Sequence, residues 1–312
     1  MSRLARVWPI ALTIAIFVLI FMRIPFERFR EALSGARLVP FLVLMGSFSV
    51  FFFAVDTYVL SRMIRWFHGP LAYRDLLPAR ATTYLVSIVN TQLAQGALAL
   101  YIHRRFRTPL GEIAGTIALL ILLEVTQLVG FATAGMLTFP RSVPPALFLA
   151  PLAVAAVWAL VLFVARGGGG SAGWLARLRD SAILQTIRRA RFRQIATILA
   201  LKAPTFVASL LIHRVALTLF GIHIPTVELL AFLPIVYLVA ALPVTVAHLG
   251  TSQAAWIFFF NDRAAEADLL AYSLASHLTF MLANGTLGLL FLPRAYVELF
   301  GERRPVQSTN SV

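Results

Sequence analysis

The chain has 312 residues, of which 60% are hydrophobic and only 13% are charged, and it contains no cysteine. Soluble domains are about 45–50% apolar and about 25% charged, so this composition excludes a soluble globular protein. The absence of cysteine excludes disulfide bonds, thiol catalysis and cysteine metal sites. Arginines in short loops beside apolar runs account for most of the net charge of +14. Basic residues in such loops set membrane topology and meet anionic lipid, so nucleic-acid binding is not expected.

Apolar runs of helical length fill most of the chain, each near or above the ~20 residues that cross a bilayer. They lie at about 8–22, 38–60, 78–102, 113–137, 145–165, 196–221, 227–260 and 268–292. Outer-membrane strands would be ~10-residue alternating segments, which these runs are not. The sequence therefore predicts an all-α, polytopic integral membrane bundle of about six to eight transmembrane helices, in one domain over 1–312. The first run lacks a small-residue cleavage site, so we expect it to be retained.

Two of the runs begin as apolar helices and then become polar or break. The first contains YLVSIVNTQLAQG at 84–96, and the second contains YLVAALPVTVAHLG at 237–250. Their candidate site residues are Asn90, Gln92, Gln95 and Gly96 in the first, and Pro243, His248, Gly250 and the following Gln253 in the second. Paired interrupted segments in two halves of a membrane protein are typical of a transporter site. Irregular backbone at membrane depth needs protein or a water-filled cavity around it, so we expect the two segments to meet inside the bundle.

The distribution of basic residues favours re-entry of the two interrupted runs. If all runs cross, the Lys and Arg residues show only a small excess on one side of the membrane. If runs 78–102 and 227–260 each enter and leave on the same side, most of the Lys and Arg residues fall on one side. The positive-inside rule prefers the second arrangement, with both termini in the cytoplasm and the protein in the cell (inner or plasma) membrane. The alternative is that 78–102 is an ordinary crossing helix with a polar face and that Pro243 only kinks another.

Re-entry from opposite faces predicts an inverted repeat. The first half-repeat would cover about 38–137 and the second about 196–292, joined by a linker helix at 145–165. The loop 166–193 is rich in arginine and has apolar residues at roughly helical spacing after a glycine run. This pattern predicts a basic amphipathic helix on the cytoplasmic surface, or alternatively a solvated topology anchor.

A few ionisable residues lie inside the apolar runs, where charge is costly unless it is paired or faces water. Glu124 is the strongest candidate for a functional residue, and Arg214, preceded by His213, is the second. We hypothesise a pair between Glu124 and Arg214, since the repeat places their helices in opposite halves. Lys202, the single lysine, and Asp56 lie closer to predicted helix ends, so snorkelling toward the surface is the simpler interpretation for both.

Enzyme chemistry finds little support in the sequence. There is no HExxH, GxSxG, P-loop, nucleotide-binding glycine pattern or paired acidic metal motif. His248 and Ser252 resemble a base and a nucleophile only superficially, because no third, orienting acid is evident. We therefore predict a protein that is not an enzyme and has no cofactor or metal. Without an ATP motif, any transport would be passive or driven by a gradient.

The motifs of the interrupted runs resemble those of the flippase-like membrane family related to the transmembrane part of lysylphosphatidylglycerol synthases. The matching residues are Leu242, Pro243, Thr245, Leu249 and Gly250 in the second half and Asn90, Gly96 and Glu124 in the first. The chain departs from the family pattern where Ala247 and His248 replace paired glycines, and where Gln253, Ala97 and Val125 replace charged residues. The resemblance implies movement of a polar-headed lipid between leaflets, by a membrane domain that is fused in some relatives to an aminoacyl-lipid synthase.

Three functions remain open at this level. The first is a lipid translocase for an anionic or aminoacylated phospholipid, in which Arg214 attracts phosphate and Glu124 balances charge or couples protonation. The second is a membrane-embedded lipid-modifying enzyme that uses Glu124 or His248. The third is a non-catalytic subunit that binds a lipid synthase through loop 166–193. The expected partners are membrane phospholipids, together with a separate synthase or a second copy of the chain.

Overall fold

A computed structural model describes residues 3–89, 91–138, 143–166, 181–242, 244–245 and 248–300. This part of the chain forms α-helices and one short 3-10 helix, with no strand. The helices are α1 (Arg3–Arg23), α2 (Phe26–Gly35), α3 (Leu38–Phe67), α4 (Tyr73–Val89), α5 (Thr91–Phe106), α6 (Leu110–Thr138), the 3-10 helix Pro145–Leu149, α7 (Ala150–Arg166), α8 (Ala182–Arg189), α9 (Phe192–Thr218), α10 (Thr226–Ala240), α11 (Thr251–Phe260) and α12 (Glu266–Phe300).

Five of the described segments are long and apolar enough to cross a bilayer. They are α3, α6, the segment Pro145–Ala165, α9 and the Glu266–Val297 part of α12. The apolar stretch Ala11–Arg23 of α1 and the whole of α10 are shorter. A 30-residue helix such as α3 is about 45 Å long, which exceeds the hydrocarbon thickness of a bilayer. The prediction of an all-helical, polytopic membrane bundle is confirmed.

The first interrupted run folds as two short helices rather than as one crossing helix. Helices α4 and α5 pack against each other. Leu76 at the start of α4 and Ile102 near the end of α5 belong to one apolar cluster, together with Ile64 from the end of α3 and Ile113 from the start of α6. Both ends of the α4–α5 hairpin therefore lie at the same end of the bundle. The break falls at Asn90, which is outside the described residues.

The second interrupted run has the same shape. Helix α10 ends at Ala240, an irregular segment follows, and α11 then runs back alongside α10. The ring of Phe232, early in α10, lies 5.1 Å from that of Phe259 at the end of α11. Arg263, just after α11, donates to the buried carboxylate of Glu228 at 2.9 Å. This run is thus also a hairpin with both ends at one end of the bundle.

The two hairpins open toward opposite ends of the bundle, because α3 and α9 are antiparallel. Phe41 at the start of α3 stacks edge-on against Phe220 just after α9, with ring centroids 5.1 Å apart. Farther along α3, Asp56 lies 3.3 Å from Lys202 in the first half of α9. The α4–α5 hairpin follows the end of α3 and the α10–α11 hairpin follows the end of α9. Their placement in the bilayer, and the cytoplasmic side of each, stays a prediction.

Reciprocal contacts between the halves support the inverted repeat. Helix α4 of the first half packs on α12 of the second, and α10 of the second packs on α6 of the first. A glycine lies at the closest approach in each of these two contacts. A Cβ on Gly288 would lie 2.8 Å from the carbonyl oxygen of Ala81, and a Cβ on Gly135 would lie 2.4 Å from the backbone nitrogen of Ala231. The backbones touch at equivalent points, which leaves no space for a side chain at either glycine.

The segment between the halves contacts the bundle mainly through α6. Helix α7 lies on the outside of the bundle, and the indole nitrogen of Trp158 ties it to α6 by donating to the Thr126 hydroxyl at 2.8 Å. Helix α8 is the part of the predicted amphipathic loop that the structure describes, since 167–180 lies outside the described residues. It packs on α6, where the Thr186 hydroxyl donates to the Glu112 carbonyl at 3.2 Å. This contact holds α8 against the protein, which neither interpretation of the loop predicted.

Adding one methyl group at the crossing of α6 and α10 tests the close contact. We expect Gly135→Ala to lower the free energy of unfolding by about 1–3 kcal/mol, because the Ala231 backbone would have to move. The matched control is Gly130→Ala on the same helix, where a Cβ meets no atom within 4 Å. Thermal unfolding followed by tryptophan fluorescence in detergent measures both. Equal stability of the two variants would show that the helices do not approach as described.

Cysteine labelling in this cysteine-free chain tests re-entry. We expect Asp75→Cys and Arg107→Cys to react with a membrane-impermeant maleimide from the same side, because the two ends of the α4–α5 hairpin lie together. Asp262→Cys, beyond α11, should react from the opposite side. Asp262 is preferred to its neighbour Arg263, which pairs with Glu228. Labelling of positions 75 and 107 from opposite sides would contradict the hairpin and favour an ordinary crossing.

Candidate functional site

A cavity of about 340 Å³ lies between the two halves of the bundle. Its walls come from α3, α6, α9, α10, α11 and α12. Equivalent positions of the repeat face each other across it. The separation along the chain from Glu124 to His277 equals that from Gly135 to Gly288. The separation from Gln127 to Phe280 is the same, and all four of these other residues line the cavity. Both halves therefore contribute residues at corresponding sequence positions to the cavity.

A network of four charged side chains lies at one end of the cavity. Arg80 of α4 donates from Nε to the Oδ2 atom of Asp56 of α3 at 2.7 Å, and a terminal guanidinium nitrogen lies 2.6 Å from the same oxygen. The other Asp56 oxygen lies 3.3 Å from the ammonium group of Lys202 on α9. Lys202 also donates to the carboxylate of Glu124 on α6. Two cations and two anions from four helices thus balance each other.

Burial decides how firmly each member is held. The side chains of Asp56, Lys202 and Arg80 are 1%, 6% and 12% exposed, whereas that of Glu124 is 37% exposed and lines the cavity. Removing one partner from a buried ion pair leaves an uncompensated charge, at a cost of about 3–5 kcal/mol. The Arg80 guanidinium also lies 5.4 Å from the ring centre of Tyr84, a favourable position for a cation. Asp56 is the fixed centre of the network, and Glu124 is its accessible end.

Helix α9 carries a polar stripe along the cavity. Lys202, Thr205, Ser209 and His213 all line the cavity, and their spacing of three or four residues places them on one face of the helix. The stripe covers about 16 Å along the helix axis, at 1.5 Å per residue. It connects the charged network at one end to an uncharged hydrogen-bonded cluster at the other.

That uncharged cluster is centred on His213. One imidazole nitrogen is hydrogen-bonded to the hydroxyl of Tyr272 and the other to that of Tyr237, at 2.8 Å for the latter. The Tyr237 hydroxyl is also bonded to Ser209. The Trp256 ring lies 5.6 Å from the imidazole and closes this end of the cavity. Because both ring nitrogens are engaged, His213 holds two helices of the second half in register and presents hydroxyl groups to the cavity.

Most of the remaining lining is apolar and largely aromatic, with Gln127, Ser252, Ser276 and His277 as its polar members. Phe280 of α12 packs against Phe48 and Phe52 of α3, with ring centroids 5.9 and 5.4 Å apart. Met45, Leu128 and Phe206 complete the apolar lining. A ligand in this space would meet charges and hydroxyl groups along α9, the aromatic rings of Phe48, Phe52 and Phe280, and the polar side chains of Ser276 and His277 on α12. Such a surface suits an amphiphile better than a uniformly polar solute.

The hypothesised pair between Glu124 and Arg214 is wrong, because the partner of Glu124 is Lys202. Arg214 is exposed and faces away from the cavity. One residue of helix is a rotation of about 100°, so Arg214 leaves the face that its neighbour His213 occupies. The snorkelling interpretation of Lys202 and Asp56 is also wrong, since both are buried and paired within the network.

Of the candidates in the first interrupted run, the two that the structure describes, Gln95 and Gly96, do not line the cavity. Asn90 lies outside the described residues, and the side chain of Gln92 is not described. Gln95 and Gly96 lie on α5, and Gly96 is exposed with no atom near the place of a Cβ. The described lining contains no residue of α4 or α5. Among the described residues, the first segment reaches the site through Arg80, which pairs with Asp56 beside the cavity.

The candidates in the second interrupted run shape its turn. Pro243 lies outside the described residues. His248 and Gly250 have positive φ angles of 60° and 92°, and the place of a Cβ on Gly250 lies 3.0 Å from Ile16 of α1. Gln253 is buried and accepts a hydrogen bond from the Gly250 amide at 2.7 Å, which caps α11. These residues fix the start of α11, whose Ser252 and Trp256 reach the cavity.

Sequence reasoning missed Arg80 and undervalued Asp56 and Lys202. The signal that would have found them is a pattern of charge within apolar runs. Four runs each carry one of these residues at membrane depth, and the two acidic and two basic side chains sum to zero. Because an isolated charge is costly there, a balanced set predicts mutual pairing more strongly than any one of the residues predicts a role.

Replacing Lys202 tests the network. We expect Lys202→Met to lower the free energy of unfolding by about 3–5 kcal/mol, because Asp56 and Glu124 lose their shared cation. The double variant Lys202→Met/Glu124→Gln should recover part of this loss, since it removes one charge of each sign. The exposed cation on the same helix is the control, and Arg214→Met should change stability by no more than about 0.5 kcal/mol. Additive effects in a double-mutant cycle of Lys202 and Glu124 would contradict the pairing.

Comparisons with known proteins add no assignment to this geometry. No protein-family model matches the chain, and no curated protein is significantly similar to it in sequence. The resemblance to the flippase-like family stays a prediction from the motifs. The chain is a multi-pass helical membrane protein with a charged, amphipathic cavity between two inverted halves.

Proposed function

We propose that this protein is a lipid translocase, which moves a polar-headed phospholipid between the leaflets of the cell membrane. The observation that carries the proposal is the amphipathic cavity between the two halves. Its polar side, formed by the stripe from Lys202 to His213, suits a head group. Its aromatic side, formed by Phe48, Phe52 and Phe280, suits the first carbons of acyl chains.

The size of the cavity supports a head-group site rather than a site for a whole lipid. Ligand pockets usually measure about 300–1,000 Å³, and the value of about 340 Å³ is near the lower limit. A phosphate with a small alcohol fits such a space, whereas two acyl chains do not. The acyl chains would therefore stay in the bilayer while the head group passes along α9.

The arrangement of the hairpins supports alternating access. Transporters with inverted repeats bind substrate near the bilayer midplane and expose the site to either side by rocking one half against the other. Here the hairpins approach from opposite ends, and the glycine contacts of Gly135 and Gly288 join each hairpin to the other half. The sequence holds no nucleotide-binding motif, so the movement would be passive or driven by a gradient.

Filling the cavity tests the proposal. Purified protein is reconstituted into liposomes that contain a trace of fluorescent phosphatidylglycerol, and dithionite reports the fraction of lipid that reaches the outer leaflet. We expect wild-type protein to accelerate the exchange and Thr205→Trp to reduce it to the rate of protein-free liposomes. Val207→Trp is the control, because Val207 is exposed on the other face of α9.

Thermal unfolding of both tryptophan variants separates a blocked cavity from a misfolded protein. Equal exchange rates for folded Thr205→Trp and Val207→Trp would contradict passage through the cavity. Absence of exchange by the wild-type protein, with phosphatidylglycerol and with aminoacylated phosphatidylglycerol in turn, would contradict translocation itself.

A further inference from the structure

We propose that Lys202 binds the phosphate of an anionic lipid head group by displacing Glu124, and that Glu124 takes up one proton from cavity water as it leaves. This inference rests on the proposed function, because it assigns the substrate class and the coupling ion of the same cavity. It follows from the geometry of the charged network, in which the two carboxylates have different environments.

Asp56 cannot be the exchanged carboxylate. It is 1% exposed, accepts a hydrogen bond from Arg80 Nε at 2.7 Å and lies 2.6 Å from a terminal guanidinium nitrogen, whereas its contact with Lys202 is longer at 3.3 Å. Arg80 and Asp56 therefore form one neutral, buried unit. Lys202 and Glu124 form the second unit, and only Glu124 of the two carboxylates lines the cavity.

Charge balance favours an anionic ligand over a cationic one. If a phosphate takes the place of Glu124 on Lys202, the buried cation keeps a partner, and the 37% exposed carboxyl group becomes neutral by protonation. If an amine displaced Lys202 from Glu124, the ammonium group would be left with Asp56, which Arg80 already neutralises. Neutrality would then require the 6% exposed ammonium group to lose its proton, whereas an anionic ligand requires a proton change only at the 37% exposed carboxyl group. The network therefore selects a negative group.

The proton is needed to keep the site neutral. Before binding, the network holds two cations and two anions. With a phosphodiester bound, it holds two cations, Asp56 and the phosphate, so Glu124 must be uncharged for the sum to remain zero. The other titratable groups that face the cavity are His277 of α12, His213 of α9 and Tyr237 of α10. Both ring nitrogens of His213 are already bonded to tyrosines, so His277 is the competing proton acceptor that the test must separate.

Binding of short-chain lipid to the purified protein tests the exchange. Dioctanoyl phosphatidylglycerol is the probe, because its phosphodiester keeps one negative charge throughout the range from pH 5 to pH 9. Dioctanoyl phosphatidylcholine is the comparison, since it carries the same phosphate with a fixed cation. Calorimetry gives affinity, and a pH indicator in weak buffer gives proton uptake.

For the wild-type protein at neutral pH, we expect uptake of about one proton for each bound phosphatidylglycerol. Affinity should fall by about tenfold for each pH unit over the range in which binding takes up one proton. Glu124→Gln should bind at least as tightly as the wild type, without uptake and without pH dependence. His277→Gln should keep the proton uptake and the pH dependence of the wild type. Lys202→Met/Glu124→Gln, which preserves net charge, should not bind, whereas Arg214→Met should behave as the wild type.

Two results would overturn the exchange. One is equal pH dependence of Glu124→Gln and the wild type, and the other is unchanged affinity in the folded Lys202→Met/Glu124→Gln variant. Tighter binding of phosphatidylcholine than of phosphatidylglycerol would overturn the choice of an anion. If glycerophosphoglycerol, the head group without acyl chains, binds as tightly as the lipid, the anion exchange is supported and the site takes a soluble phosphodiester.

The outcome of this experiment is separable from that of the liposome assay. Binding that is coupled to proton uptake, without lipid exchange in liposomes, would support the anion site and contradict the translocase function. Lipid exchange that is unchanged by substitution of Lys202 and Glu124 would support the translocase function and contradict its coupling to protons.

Discussion

The contact between Asp56 and Lys202 is the constraint on which the central part of this molecule depends. It joins the two antiparallel helices α3 and α9, one from each half, through side chains that are 1% and 6% exposed, where an unpaired charge would be costly. Arg80 and Glu124 then extend the network into α4 and α6. Four helices are thereby held around one electrically neutral centre, and none of them can shift without exposing a charge to hydrocarbon. The cavity lies beside this centre, along the polar side of α9.

The packing of the hairpins is a second constraint of a different kind. Each hairpin touches the opposite half where two backbones approach too closely for a side chain, at Gly135 and at Gly288. In a membrane, helices gain little from burying apolar side chains against each other, because lipid is equally apolar. Close backbone contact and buried hydrogen bonds therefore contribute more of the free energy of helix association. The bond from Ser49 to Asn284, at 2.7 Å between α3 and α12, belongs to the same class of contact.

The sequence predicted the architecture better than it predicted the site. Long apolar runs, two interruptions and the distribution of arginines were enough for an all-helical bundle with two hairpins, because hydropathy and backbone hydrogen bonding leave few alternatives in a bilayer. Glu124 was found as a charge in an apolar run. Its partner was missed, because Lys202 and Arg214 lie on different faces of one helix and only the three-dimensional packing shows which face turns inward. Gln253 was chosen for its polarity, although the amide caps a helix. Local polarity does not distinguish a capping group from a binding group, whereas a balanced set of charges across several runs does.

The two halves share a backbone plan but not the same side chains, and this difference has an energetic consequence. Glu124 and Gln127 of one half face His277 and Phe280 at the equivalent places of the other. If the halves were chemically identical, the two conformations reached by exchanging their roles would have equal free energy. Here one half brings the carboxylate and the amide, and the other brings an imidazole and a phenyl ring. In the proposed alternating-access cycle, the two conformations would therefore differ in free energy even before any gradient or ligand acts on the molecule.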